Sequence, residues 1–65
     1  MMPDFKRENM DYLGDSVYAG FDGFAVWIWT DNGMGKENVV CFEPEVQAAL
    51  NRFRERQLSL QPKPT

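Results

Sequence analysis

Ser16-Val17-Tyr18-Ala19-Gly20-Phe21-Asp22-Gly23-Phe24-Ala25-Val26-Trp27-Ile28-Trp29-Thr30 is the stretch on which the fold turns. Valine, isoleucine and aromatic residues dominate it, as they do in pleated strands, and Asp-Gly at its middle is a turn dipeptide. A two-residue type I′ turn needs positive φ at both central positions, which Asp22-Gly23 suits. That turn predicts Phe21 opposite Phe24, Ala19 opposite Val26, and Val17 opposite Ile28. These six side chains then share one face of a hairpin. Tyr18, Trp27 and Trp29 share the other, so the ribbon has two apolar faces, and one helix can cover only one of them.

Residues 1–14 show little apolar periodicity and are expected to form an N-terminal arm, with Tyr12 and Leu13 resting on the sheet. Residues 15–60 form one small domain. Downstream of the hairpin, Thr30-Asp31-Asn32-Gly33-Met34-Gly35 is rich in turn formers. It leads through Lys36 and Glu37 to a third predicted strand, Asn38 to Glu43. There Val40 and Phe42 alternate with Val39 and Cys41, and either set can face the core.

Pro44 marks the start of a helix, because proline suits the first turn and Glu43 and Glu45 lie at its positive dipole end. Val46, Ala49, Leu50, Phe53 and Gln57 fall on one helical stripe. The fold expected is α+β, a three-stranded antiparallel sheet packed on one C-terminal helix in the order β-β-β-α. Phe21, Phe24, Val26 and Ile28 are expected to lie against Leu50 and Phe53. Residues 61–65, with two prolines, are expected to be a disordered tail.

With 65 residues the chain makes one domain, and a chain this short buries only about 60% of the surface its unfolded form exposes. Disulfides, a metal or association usually make up such a deficit. One cysteine and no histidine exclude an intramolecular disulfide and argue against a zinc site, so association remains. Cys41 reads as a small buried hydrophobe in a reducing compartment. No apolar run reaches the roughly 18 to 20 residues of a membrane span, and the N-terminus has no signal-peptide core. A soluble cytoplasmic protein with no cofactor and no metal is expected.

Charge divides the chain in two. Eight carboxylates lie between Glu8 and Glu45 with only Lys36 against them, whereas Arg52, Arg54, Arg56 and Lys63 follow with only Glu55. Solvated turns and a helix C-terminus account for such a division. It also suits an acidic surface that meets a basic partner.

The strings Tyr12-Leu13-Gly14-Asp15-Ser16-Val17-Tyr18, Phe21-Asp22-Gly23, Thr30-Asp31-Asn32-Gly33 and Glu43-Pro44-Glu45-Val46 resemble a group of short proteins encoded by bacteriophages and prophages. The resemblance extends from Tyr12 to Phe53. It implies a phage origin, a stand-alone domain and a bacterial host cell as the setting, and it brings no activity with it. Trp29 departs from the threonines usual at that strand end.

Among functions, catalysis is disfavoured. Without histidine there is no ordinary proton shuttle at neutral pH and no Ser-His or Cys-His pair, and Gly33 and Gly35 lack the Walker pattern. Asp15, Asp22 and Asp31 sit at turns, where aspartate serves local hydrogen bonds. A calcium loop is unsupported, since Asp31-Asn32-Gly33 lacks the alternating ligands and closing glutamate. Arg52 and Arg56, four apart on one helical face, suit a nucleic acid or a small anion, but an acidic sheet beside them repels phosphates.

The aromatic face has three explanations. Phe5, Met10 and Leu13 of the arm cover it; two copies join through it; or a foreign protein binds it. The reading adopted is a non-enzymatic interaction module, likened by its phage setting to an inhibitor of a bacterial host or defence protein. Tyr18, Trp27 and Trp29 are its expected anchors, and Asp15, Asp22, Asp31 and Glu37 an acidic rim. The alternatives are a homo-oligomer that sequesters a small anionic ligand through Arg52 and Arg56, or a nucleic-acid-binding protein.

Overall fold

A computed structural model describes residues 2–61. The predicted tail, residues 61–65, therefore lies outside the described residues except for Gln61. The chain runs through a 3-10 turn (Arg7–Asn9), four strands, β1 (Met10–Gly14), β2 (Val17–Phe21), β3 (Val26–Asp31) and β4 (Lys36–Phe42), and one helix, α1 (Pro44–Leu60). The strands form one antiparallel sheet in sequence order. The fold is thus α+β, with an antiparallel sheet followed by a C-terminal helix, but the sheet has four strands where three were expected.

The additional strand comes from the N-terminal segment. Asp15 and Ser16 have φ of 51° and 67°, so the two-residue turn with positive φ at both positions lies here, between the paired Gly14 and Val17. It folds Met10–Gly14 back onto β2, where Met10 pairs with Gly20 and Tyr12 with Tyr18. Residues 10–14 are therefore not part of an arm. Weak periodicity concealed the strand, because a register shift between Tyr12 and Gly14 breaks its alternation.

The β2–β3 connection also differs from expectation. Asp22 is not among the positive-φ residues, whereas Gly23 has φ 98°, and this excludes a type I′ turn at Asp22-Gly23. The Asp22 carboxylate instead accepts hydrogen bonds from the amides of Phe24 at 2.8 Å and Ala25 at 2.7 Å. Those bonds close a four-residue loop. Phe21 therefore pairs with Val26, Ala19 with Ile28 and Val17 with Thr30, a slip of two positions. A slip of two preserves the pleat, so Val17, Ala19, Phe21, Val26 and Ile28 still share a face and Tyr18, Trp27 and Trp29 the other. Phe24 leaves the strand and lies exposed in the loop.

β4 starts two residues before the predicted strand, and Asn38, with φ 54°, is the extra residue where its register shifts against β3. Pairing of Ile28 with Val40 and Val26 with Phe42 puts Val40 and Phe42 on the Ala19 face, and Cys41 opposite Trp27 on the aromatic face. Cys41 is exposed, not the buried hydrophobe expected.

The helix begins at Pro44 as predicted, with Glu43 as its N-cap. It does not pack on the sheet. No residue of α1 is buried, and Val46, Leu50 and Phe53 are 48%, 43% and 50% exposed. The reason is local. Glu43 alone separates β4 from the helix, and a residue before proline is kept out of the α region. Its φ of −66° and ψ of 162° are extended, and the helix meets mainly β4.

Candidate functional site

Two surfaces carry the residues of interest, one on each face of the sheet. On the aromatic face, Trp29 lies 1% exposed. Phe5, delivered by the segment before β1, stacks on it with ring centroids 5.4 Å apart and also meets Trp27 at 6.5 Å. Tyr18 stacks on Trp29 at 6.0 Å, and Tyr12 packs on Tyr18 at 4.9 Å. Five rings thus run from β1 across to β3 in the offset and tilted arrangements that aromatic quadrupoles favour. Lys36 adds its ammonium over the Trp29 ring at 5.3 Å.

Gly20 makes this cluster possible. A Cβ at that position would lie 2.8 Å from the Phe5 ring, so only glycine lets the ring settle on the strand. The contact also offsets what a mid-strand glycine lacks in side-chain packing. No sequence pattern pointed to this pairing, because Phe5 and Gly20 are 15 positions apart in elements with no common period.

Trp27 is tied down by its polar end, its indole N–H donating to the second Asp22 carboxylate oxygen at 2.8 Å. The Asp22 carboxyl is held below the ordinary carboxylate range, first by the Ala25 amide, then by the Trp27 indole and the Phe24 amide. Each of these bonds favours the ionised form. On the neighbouring strand, desolvation and the charges of Asp22 and Glu43 push the Cys41 thiol upward, which keeps it protonated and a poor nucleophile at neutral pH.

The predicted anchors do come together, but under cover. Trp29 has almost no free surface, and Tyr18 and Trp27 are half-buried. The four carboxylates of the expected rim are divided. Asp15 and Asp31 lie at one end of the sheet, where the Asp31 amide bonds to Ser16 and its side chain accepts from Gly33 at 2.9 Å. Glu37, paired with Thr30, lies near that end. Asp22 lies at the opposite end, about 17 Å away by the rise along a five-residue strand. Arg52 and Arg56 are exposed on α1, and Arg56 lies 5.6 Å over the Phe53 ring.

Two shallow clefts flank these surfaces. One is lined by Phe24, Glu43, Pro44, Glu45 and Val46, where the β2–β3 loop meets the start of α1. The other lies beneath the N-terminal segment and includes Asp4, Lys6 and Asp22. Neither Arg52 nor Arg56 lines either cleft, so the anion site expected of those two residues is not built into these clefts. Among the described residues no group of acidic or sulfur ligands is placed to hold a metal ion, and no helix is long and apolar enough to cross a membrane.

The second surface was missed as a site because its residues read as core. Val17, Ala19, Phe21, Ile28, Val40 and Phe42 line the other sheet face by register. α1 does not cover them, and Phe21 and Val40 are exposed. Together with the bare helix stripe they form a second apolar surface. No known protein family, curated protein or solved structure matches this sequence.

Proposed function

We propose that this chain is a non-enzymatic protein-interaction module whose contact surface is the α1 stripe together with the open sheet face. The observation that carries the reading is that a 17-residue helix bearing Val46, Leu50 and Phe53 buries none of its residues. An isolated helix of this length is marginal in water, and its stability ordinarily comes from packing its apolar side. An unpaired stripe of this kind marks a binding surface. The aromatic face contributes differently from the expectation drawn from sequence: it holds the sheet together and leaves Trp29 unable to stack on a base or dock in a pocket. The resemblance to phage-encoded proteins makes a bacterial host protein the foreign partner to consider first.

A photo-crosslinking amino acid placed at Phe53, with a second chain carrying it at Glu55 on the opposite side of the helix as control, tests this in bacterial cells. The reading expects intermolecular protein adducts from position 53 and few from position 55. Adducts confined to the same chain would mean that α1 closes on its own sheet, and the proposal would fall.

A further inference from the structure

The interaction surface has two halves that match each other, and we infer that its partner is a second copy of this chain, the α1 stripe of each copy lying on the open sheet face of the other. This rests on the contact surface proposed above. Three observations carry it.

The first is area. The chain exposes 5592 Å², whereas a compact monomer of 7.5 kDa exposes about 4,250 Å² by the usual mass scaling. The excess of about 1,300 Å² exceeds the ~800 Å² that each partner contributes to a standard interface. Shape agrees, since the radius of gyration is 14.3 Å against about 11 Å for a compact chain of this length.

The second is connection. The extended Glu43 before Pro44 keeps α1 from reversing onto its own sheet, and most turns between a strand and a packed helix use two to six residues. A short, stiff hinge that holds an element away from its complementary surface favours exchange between two identical chains. The resulting interface is isologous and closes at two copies, because each supplies one helix and one sheet.

The third is charge. By register the open face carries Asp11, paired with Ala19 on one edge strand, and Glu37, paired with Thr30 on the other. At 100° per residue the Val46-Leu50-Phe53 stripe has Arg54 on one flank and Arg56 on the other, with Arg52 beyond it. A helix about 10 Å across, with an arginine reaching out on each side, spans the roughly 14 Å between the outer strands. The apolar stripe then meets the apolar face with opposite charges at both rims.

Light scattering on the purified full-length chain across a concentration series is expected to give twice the chain mass, falling to one at high dilution. Leu50→Glu should give a monomer with its sheet intact by near-ultraviolet circular dichroism, and Arg54→Glu with Arg56→Glu should weaken association at least tenfold at low salt. Placement is read by disulfide trapping on a Cys41→Ser background. Chains carrying Ala19→Cys mixed with chains carrying Leu50→Cys should trap a mixed dimer. Trapping by Leu50→Cys chains alone would signify helix-to-helix association and overturn the inference, as would a disulfide within one chain carrying both substitutions. A monomer at every concentration, with position 53 still crosslinking to a foreign protein, would overturn the second copy as partner and leave the interaction module standing.

Discussion

At the scale of single residues, the sheet is held by contacts that join positions far apart in sequence. Phe5 needs Gly20 beneath it, and Trp29 needs Phe5 above it. Gly20→Ala is expected to push the Phe5 ring off the strand and cost about 1–3 kcal/mol, as overpacking does, read by thermal unfolding. Phe5→Ala leaves the strand backbone untouched but uncovers two indoles, so it should shift tryptophan emission to longer wavelength and cost about 2–4 kcal/mol for a large aromatic lost from a partly closed site. Asp22 adds a pH dependence. Its folded pKa is depressed by the Ala25, Trp27 and Phe24 bonds, so its stabilising contribution is present above the unfolded value and lost as pH falls through the folded one. Protection of the Ala25 amide, its exchange rate relative to the intrinsic rate at each pH, should therefore fall as the pH drops below the ordinary aspartate value of 3.8, and Asp22→Asn should flatten that profile. Asp-Gly read as a hairpin turn is correct about where the chain reverses and wrong about how. Composition reports that a turn forms, while whether the aspartate bends its own backbone or caps the two amides beyond it depends on bonds that close only in the folded loop. Asp15-Ser16, with no glycine between them, supplies the tight turn because Gly14 and the register of β1 permit it.

At the scale of elements, the face assignments were legible, and so, as one of three readings, was Phe5 as a cover of the aromatic face; the uncovered state of the other face was not. Alternation correctly sorts Tyr18, Trp27 and Trp29 from Val17, Ala19 and Ile28, since a period of two survives a two-residue slip. Pro44 marks the helix start to the residue. Periodicity, however, says only which side of a helix is apolar, and the direction in which it leaves the sheet is decided by one residue, Glu43, whose freedom the following proline removes. This gives the hinge a specific test. Three glycines inserted between Glu43 and Pro44 free the connection to reverse, and intramolecular docking then competes with exchange at a high effective concentration. The inserted chain is expected to sediment as a monomer at concentrations where the parent is a dimer. Its α1 amides should exchange more slowly than those of the diluted parent. The same logic revises Phe53: a core phenylalanine would cost about 3–5 kcal/mol on truncation, but at 50% exposure Phe53→Ala should leave the dilute chain folded and act on association.

At the scale of the whole molecule, the division of labour between the two sheet faces explains how so short a chain, with one cysteine and no histidine, gains order. The aromatic face closes within one copy through a segment of its own N-terminus, and the other face waits for a helix it cannot reach. Association and folding of α1 are then a single equilibrium, because a free 17-residue helix is marginal and a docked one is not. Thermal stability must consequently depend on concentration. A tenfold increase favours the dimer by about 1.4 kcal/mol, or about 0.7 per chain, and for a domain of this size that raises Tm by roughly 3–5 °C. Circular dichroism at 222 nm should lose amplitude on dilution while the tryptophan emission, set by the Phe5-covered cluster, stays constant. Leu50→Glu should show neither trend: its Tm is expected to be independent of concentration and to equal that of the parent extrapolated to infinite dilution. If parent and variant instead melt together at every concentration, helix and sheet are not linked through a second chain. The exposed stripe would then have to find its partner in another protein.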